Sequence, residues 1–220
     1  MIVAVQAHNS GQYPAIMRQM FETRKKVFFD TLHWDVSVDG NEERDRYDDM
    51  GPVYLIWCNH DRTRHFGSMR LMPTTGPTLL HDVFSSTFPD AAALSAPGIW
   101  EGTRMCLDED ALAQNFPHMP PRHAFCLLLV ALCEFCLDHG IHTMVSNYEP
   151  HLARLYRRAG ARLHELGRAD GFGRLPVCCG AFEVSDDVLR SMRTALGLFF
   201  PLYNTERPLT SILGQCSSAA

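Results

Sequence analysis

The sequence predicts an α/β fold, a single-domain αβα sandwich built on a mixed sheet. Three observations predict it. Stretches with strand and helix periodicity alternate along the first 195 residues. Two early strand runs are joined by a short polar turn, as in an antiparallel hairpin. Later strands are separated by long helical stretches, and such β-α-β units pair in parallel. A chain of 220 residues is long enough to fold on its own hydrophobic core.

Taken in order, residues 2–7 read as a strand. Residues 13–29 read as a helix, because Ile16, Met17, Met20, Phe21, Val27 and Phe28 recur at spacings of three and four. Residues 31–51 are polar and turn-rich, a loop or partly ordered lid. Residues 53–58 (VYLIWC) and 64–72 are the hairpin strands around the polar turn 59–63, and the prolines in 73–77 end the second. Residues 99–107 form another strand. Pro121 opens a long helix to Asp138, with Gly140 as its stop. A strand at 141–147, a helix at 150–159 ended by Gly160, a strand at 177–184 and a helix from 186 to about 195 complete the order. Residues 1–183 are expected to form the functional domain, and 184–220 a C-terminal helical extension and tail.

Composition narrows the class. Hydrophobic residues make up 46% and charged residues 20%, which suits a globular chain rather than a disordered one. The longest apolar run, 124–133, is far short of the roughly 20 residues a bilayer requires, so no membrane insertion is expected. The N-terminal stretch lacks the basic and apolar regions of a secretory signal. A net charge of −5 argues against a nucleic-acid binder. The eight cysteines look like scattered small hydrophobes. Cys133 and Cys136 form a C-x-x-C, but with Cys126 they recur at helical spacing in an apolar run, which favours packing over a metal or redox pair. His139 and His142 straddle Gly140 and cannot share a helix face. No metal is expected, and reduced thiols suit a cytoplasmic protein.

Several charged residues sit where a bland domain has no need of them. Arg24 and Phe28 are four apart on the first helix and share a face. That face is otherwise apolar, so Arg24 points inward and needs a carboxylate, which Asp45 and Asp48 can supply. Arg70 lies in FGSMRLM, and Glu101 and Arg104 in IWEGTRMCL. Alternation puts Glu101 and Thr103 on one strand face and Arg104 on the other, unless a bulge intervenes. These residues alone fit either a structural ion-pair network or a site for a zwitterionic small molecule.

The constellation resembles the acyl-homoserine-lactone synthases, the LuxI-type autoinducer synthases of quorum sensing. The resemblance rests on R-x-x-x-F (Arg24, Phe28), on HWDVSVDG with Trp34, on RDRYDD with Asp45 and Asp48, on GSMRLMPTTGP with Arg70, and on WEGTR with Glu101 and Arg104. It covers about residues 1–183. It implies an acetyltransferase-like (GNAT-type) fold with a splayed sheet, and a reaction between S-adenosylmethionine and an acyl thioester, with no prosthetic group. The amine is acylated, and the methionyl carboxylate then displaces methylthioadenosine to close a lactone. The rival activity is a GNAT-type transfer from acyl-coenzyme A to another amine.

The resemblance also implies roles. Arg24, Phe28, Trp34, Asp45 and Asp48 are expected at the S-adenosylmethionine site, where acids meet cations and aromatic faces meet adenine and sulfonium. Glu101, Arg70 and Arg104 are the expected catalytic residues, with Glu101 as base or water-orienting carboxylate. Thr103, Met105, Leu128, Met144, Ser146 and Tyr148 are expected to line the acyl pocket, Thr103 pointing to a 3-oxo chain and bulky Tyr148 to a short or medium one. The segment after the strand at 99–107 lacks the glycine-rich pyrophosphate loop of acetyltransferases, which favours acyl carrier protein over coenzyme A as donor. Arg154, Arg157, Arg158, Arg162 and Arg168 form a basic segment suited to that acidic carrier. A monomer is expected.

Overall fold

The computed structural model describes residues 1–203. The chain begins with β1 (Ile2–Val5) and α1 (Pro14–Arg24), which continues as a π-helical stretch, Lys25–Thr31. The polar loop is more ordered than expected. It holds a small hairpin of β2 (Val38–Asp39) and β3 (Glu42–Glu43), then a 3-10 turn, Arg46–Asp49. After it come β4 (Val53–Cys58), β5 (His65–Pro73), α2 (Leu79–Asp82), β6 (Ile99–Leu107), α3 (Glu109–Asn115), α4 (Pro121–Asp138) and β7 (Thr143–Tyr148). The last elements are α5 (Leu152–Arg158), β8 (Leu163–Ala169), β9 (Val177–Glu183) and α6 (Asp186–Leu196). The expected tail at 204–220 lies outside the described residues.

Seven strands form one mixed sheet in the order β1-β4-β5-β6-β7-β9-β8. The expected α/β class and mixed sheet are present, but two features differ from the sequence reading. β8 was not foreseen. It is the sheet's edge strand, and its exposed His164, Glu165 and Arg168 hide the apolar alternation that marks a half-buried strand. Its presence reverses the chain, so β9 runs antiparallel to β7 rather than parallel. Only the β6–β7 pair fulfils the parallel expectation. No described helix is long and apolar enough to cross a membrane.

The chain divides into two compact units, Met1–Arg70 with Arg104–Leu128 and the described residues from Phe200, and Leu71–Thr103 with Leu129–Phe199. In the first, Ile16, Met20 and Phe21 of α1 pack on Val3, Val5, Tyr54 and Ile56. Trp57, Phe66 and Phe116 form a second aromatic knot. In the second unit, Leu80, Ala91, Val145 and Cys179 make one cluster, and Tyr148, Tyr156 and Phe182 another. Gly180 leaves room for the Tyr148 ring, whose Cε1 would lie 2.7 Å from a Cβ there. Cys133 and Cys136 are buried on α4, and burial pushes the Cys133 thiol up to about 11, as packing thiols behave.

A polar strand of contacts runs through the first unit's core. His65 is fully enclosed, with Nδ1 3.3 Å from Thr23 Oγ1 and Nε2 3.0 Å from Ser68 Oγ. Burial, helped by the Arg64 charge, lowers its pKa to about 3. The folded state therefore holds His65 neutral while the unfolded chain takes up a proton below about pH 6.5. Stability is full above that pH and falls as pH drops toward 3. Urea midpoints taken between pH 7 and pH 4 are expected to show this fall at up to about 1.4 kcal/mol per pH unit, and His65→Gln should flatten it. Equal slopes in both proteins would remove His65 as the cause.

Candidate active site

The 3-10 turn after β3 is built by its own sequence. Asp45 caps it by accepting the Tyr47 N–H at 3.0 Å, and Asp48 accepts the Asp45 N–H at 2.8 Å. This reciprocal capping box orients both carboxylates through the turn's own backbone. β3 adds a third acid, Glu43, which is wholly buried.

Three arginines thread these three acids. Arg24 donates from Nε to Glu43 at 2.6 Å and grips Asp48 bidentately at 2.8 and 3.0 Å. Arg70 holds Asp45 through both terminal nitrogens and reaches Asp48 at 3.0 Å. Arg104 donates to Glu43 at 3.1 Å and to Asp45 at 2.9 Å. Every acid therefore bridges two arginines and every arginine two acids. The result is a closed, charge-balanced ring: Arg24, Glu43, Arg104, Asp45, Arg70, Asp48 and back to Arg24. Tyr54 donates its hydroxyl to Asp48 at 2.6 Å from β4.

The electrostatics follow from burial and pairing. Burial alone raises a carboxyl pKa, but hydrogen bonds and charge from Arg24, with charge from Arg70, hold Asp48 well below the usual carboxylate range. Burial likewise opposes charge on Arg24, and Asp48 and Glu43 outweigh it and raise its pKa. The ring opens toward solvent at one edge. Side-chain exposure is 14% at Asp45 and 9% at Arg104, against 4% or less for the other four.

Beside that edge stands an aromatic platform. Phe28 and Trp34 stack with centroids 5.2 Å apart at 28°, and the Arg104 guanidinium lies 5.4 Å from the Phe28 centroid. The π-helical stretch sets this up. Its wider winding carries Phe28 toward Trp34, whose N–H donates to the Phe28 carbonyl at 2.9 Å. The chain turns between them at His33, with φ +54°. Arg104 also has a left-handed backbone, φ +52°, a costly state for a non-glycine residue. It is the break in β6 that the alternation argument allowed for.

Glu101 belongs to the second unit and is also buried. Its two oxygens accept the backbone N–H groups of Leu79 and Leu80, at 2.9 and 2.6 Å. It thereby fixes the start of α2, which Thr78 caps. β6 and β7 pair in parallel from Ile99–Thr143 to Glu101–Val145 and no further. Beyond that rung Ser146 donates to the Gly102 carbonyl at 2.8 Å, which is the expected splay.

The remaining expected residues separate. Met144, Ser146 and Tyr148 share one face of β7. Met144 Cε lies 3.2 Å from the place a Gly102 Cβ would take, and half-buried Thr103 follows on β6. Tyr148 is enclosed by Tyr156 and Phe182. Met105 and Leu128 lie in the first unit, where Leu128 packs near Gly67. Arg154, Arg157 and Arg158 are exposed on α5, while Arg162 pairs with Glu183 and Arg168 with Glu165. A cavity of about 550 Å³ along α6, lined by Leu189, Arg190, Arg193 and Phe199 among others, contains none of the expected residues.

Sequence reasoning missed Glu43, Tyr54, Thr87 and Asn147. None of them carried a local signal; Glu43 lies in a two-residue strand, too short to show a period.

Known proteins resemble this chain along most of its length. The sequence profile of the autoinducer synthase family matches residues 9–192. An acyl-homoserine-lactone synthase of Rhizobium etli is 38% identical over 182 residues, 81% of this chain and 82% of that one. A solved coenzyme-A-dependent acyl-homoserine-lactone synthase, with S-adenosylmethionine and isopentyl-coenzyme A, is 28% identical with a TM-score of 0.75 over 90% of both chains. A putative N-acetyltransferase from Lactobacillus plantarum, 17% identical, shares the fold with a TM-score of 0.52 over 84% of this chain and 99% of its own. The sheet is thus of the acetyltransferase-like type.

The ring makes a stability prediction. Removing one charge from a buried network strands its partners and costs about 3–5 kcal/mol. Glu43→Gln is expected to lower the unfolding free energy by that amount in urea titrations at pH 7, whereas Arg154→Ala on exposed α5 should change it by less than about 0.5 kcal/mol. Near-equal effects would show that the ring is not a stabilising unit.

Proposed function

Since the chain belongs to the autoinducer synthase family and is an acyl-homoserine-lactone synthase, we propose that it acylates the amine of S-adenosylmethionine and closes the lactone with release of methylthioadenosine. The observation that carries this reading is the Phe28–Trp34 stack beside the open, Asp45–Arg104 edge of the ring. S-adenosylmethionine presents an adenine, a sulfonium, an ammonium and a carboxylate. The stack suits the first two, Asp45 the ammonium, and Arg104 the carboxylate. Arg24, Arg70 and Asp48 are committed to the ring and act by holding that edge in place.

The chemistry then needs a proton acceptor and a thioester seat. The ammonium loses a proton, the amine attacks the thioester carbonyl, and the carbon–sulfur bond breaks as the thiol leaves. The carboxylate oxygen next attacks the carbon bonded to the sulfonium, and methylthioadenosine departs. Glu101 is assigned to the first proton transfer. Its oxygens already accept two N–H groups, which stabilises the charged form and weakens it as a base, so the assignment is to a carboxylate that orients a water taking the proton. Where β6 leaves β7, backbone N–H groups suit the developing oxyanion, and Thr103, Met105, Leu128, Met144, Ser146 and Tyr148 remain the assigned acyl-chain residues.

The donor is assigned as acyl carrier protein. Arg154, Arg157 and Arg158 have no acidic partner among the described residues, an arrangement that suits an acidic surface. Arg162 and Arg168, already paired, contribute less. Acyl-coenzyme A is the second reading, supported by the coenzyme-A dependence of the 28%-identical structure.

Four measurements test these roles. Methylthioadenosine released with S-adenosylmethionine and an acyl thioester separates a synthase from an acyltransferase acting on another amine. Glu101→Gln is expected to lower turnover by about 10²–10⁴-fold in a folded protein, and near-native turnover would remove Glu101 from the mechanism. Trp34→Ala is expected to weaken S-adenosylmethionine binding, by calorimetry, more than thioester binding. Reversing Arg157 and Arg158 together to glutamate is expected to raise KM for acyl carrier protein alone. An enzyme that prefers acyl-coenzyme A and ignores the reversal would overturn the donor assignment.

A further inference from the structure

The stretch that carries Phe28 winds differently from the helix it continues, and its own groups hold it that way. The Lys25 ammonium meets the Asp30 carboxylate at 2.9 and 3.0 Å. The Thr31 hydroxyl donates to the Lys26 carbonyl at 2.8 Å. The Leu32 N–H donates to the Val27 carbonyl at 2.9 Å. Each of these links joins residues five apart. On an α-helix neighbours on one face are three and four apart, and a π winding is what brings the fifth residue round. The Lys25–Asp30 pair is exposed and holds little by itself. The Thr31 bond ties a side chain directly to the backbone of the preceding turn.

The winding ends at a single residue. Leu32 is still right-handed, φ −86°, and His33 is left-handed, φ +54°. That reversal returns the Trp34 N–H to the Phe28 carbonyl at 2.9 Å and sets the two rings 5.2 Å apart. The left-handed region is open to glycine, tolerated by asparagine and histidine, and strongly disfavoured by β-branched residues. The His33 side chain is exposed and makes no hydrogen bond or ion pair with the described residues. What this position supplies is a backbone angle.

We infer that His33 and Thr31 are positioning residues for S-adenosylmethionine, which hold the Phe28–Trp34 stack in its binding geometry before the substrate arrives. The inference rests on the assignment of that stack to S-adenosylmethionine and deepens it. Both residues act through Trp34. A ring already ordered in the free protein does not have to be ordered on binding, and that ordering otherwise weakens affinity. The effect therefore falls on S-adenosylmethionine binding, and acyl transfer from the bound complex proceeds as before.

The test separates backbone angle from side chain. S-adenosylmethionine binding is measured by calorimetry. KM and kcat are read as methylthioadenosine release with the acyl thioester turned over best from a series of four to twelve carbons. His33→Gly and His33→Asn, which both accept the left-handed angle, should keep KM for S-adenosylmethionine within about twofold of wild type. His33→Val should raise it about tenfold while kcat and KM for the thioester stay near native. Thr31→Val should raise it about threefold, and Thr31→Ser should restore it. Urea midpoints check that each variant is folded; if His33→Val is not, the Thr31→Val and Thr31→Ser pair decides. Binding weakened as much by His33→Gly as by His33→Val overturns the inference, because the side chain would then be at work. Native binding in His33→Val and Thr31→Val also overturns it, while weakened binding in Trp34→Ala still upholds the assignment of the stack. Native binding in Trp34→Ala overturns both.

Discussion

Everything in the first unit is arranged around a closed ring of three guanidinium groups and three carboxylates. It draws together α1 through Arg24, β3 through Glu43, the 3-10 turn through Asp45 and Asp48, β5 through Arg70, and β6 through Arg104. Taking six charges out of water is expensive, and isolated buried pairs often fail to recover the cost. A ring differs from a pair because no member has a single partner. Each fork meets two acids, so few lone pairs or N–H groups go unmet. Lysine cannot replace these arginines: a single ammonium lacks the planar fork that spans two carboxylates. Stability and site geometry are one problem here. The acid and the arginine at the open edge are held by the four charges behind them.

The sequence discloses residues whose signal is local and hides those whose role depends on what comes back to meet them. Arg24 was legible because a charge on an apolar helix face must be answered. Asp45 and Asp48 were legible as acids three apart that could answer Arg24, and as part of the RDRYDD motif that carries the family resemblance. Glu43 was missed although it closes the ring, since a two-residue strand has no periodicity to read. β8 was missed because an edge strand carries charge where a half-buried strand would alternate. Missing it reversed the expected direction of β9, an error of one element that propagates through topology. The π-helical stretch at Lys25–Thr31 had no visible signal, because an α and a π turn bury nearly the same spacing of side chains over so short a run. At Asn147 and Thr87 the sequence offered only two ordinary polar residues 60 positions apart.

The two kinds of buried carboxylate in this chain do different things. Asp48 is met by full opposite charges from Arg24 and Arg70, which hold it as an anion through the ordinary pH range. Glu101 meets neutral backbone donors instead. A carboxylate so held keeps its negative potential, because amide dipoles screen a charge without cancelling it. That is the property asked of a group that must attract a proton or orient a water during acylation. The sequence presents Asp45, Asp48 and Glu101 alike, as acids near arginines. The structure separates the three ring acids, which are matched by guanidinium groups, from Glu101, whose two oxygens accept backbone N–H groups.

The parting of β6 from β7 is the second constraint, and it acts on the backbone. A parallel ladder satisfies its N–H and C=O groups evenly, so opening it after Glu101–Val145 leaves groups to be met in some other way. Ser146 meets one, the Gly102 carbonyl, with its side chain. The same opening explains why polar side chains appear in succession at the end of β7, where a strand between two helix-covered faces is normally apolar throughout. Ser146 answers the backbone, and the Asn147 amide nitrogen answers Thr87 and Cys178. Asn147 Oδ1 answers nothing within the described residues. The Tyr148 hydroxyl, on the next residue along β7, is likewise buried and without a hydrogen-bond partner among the described residues.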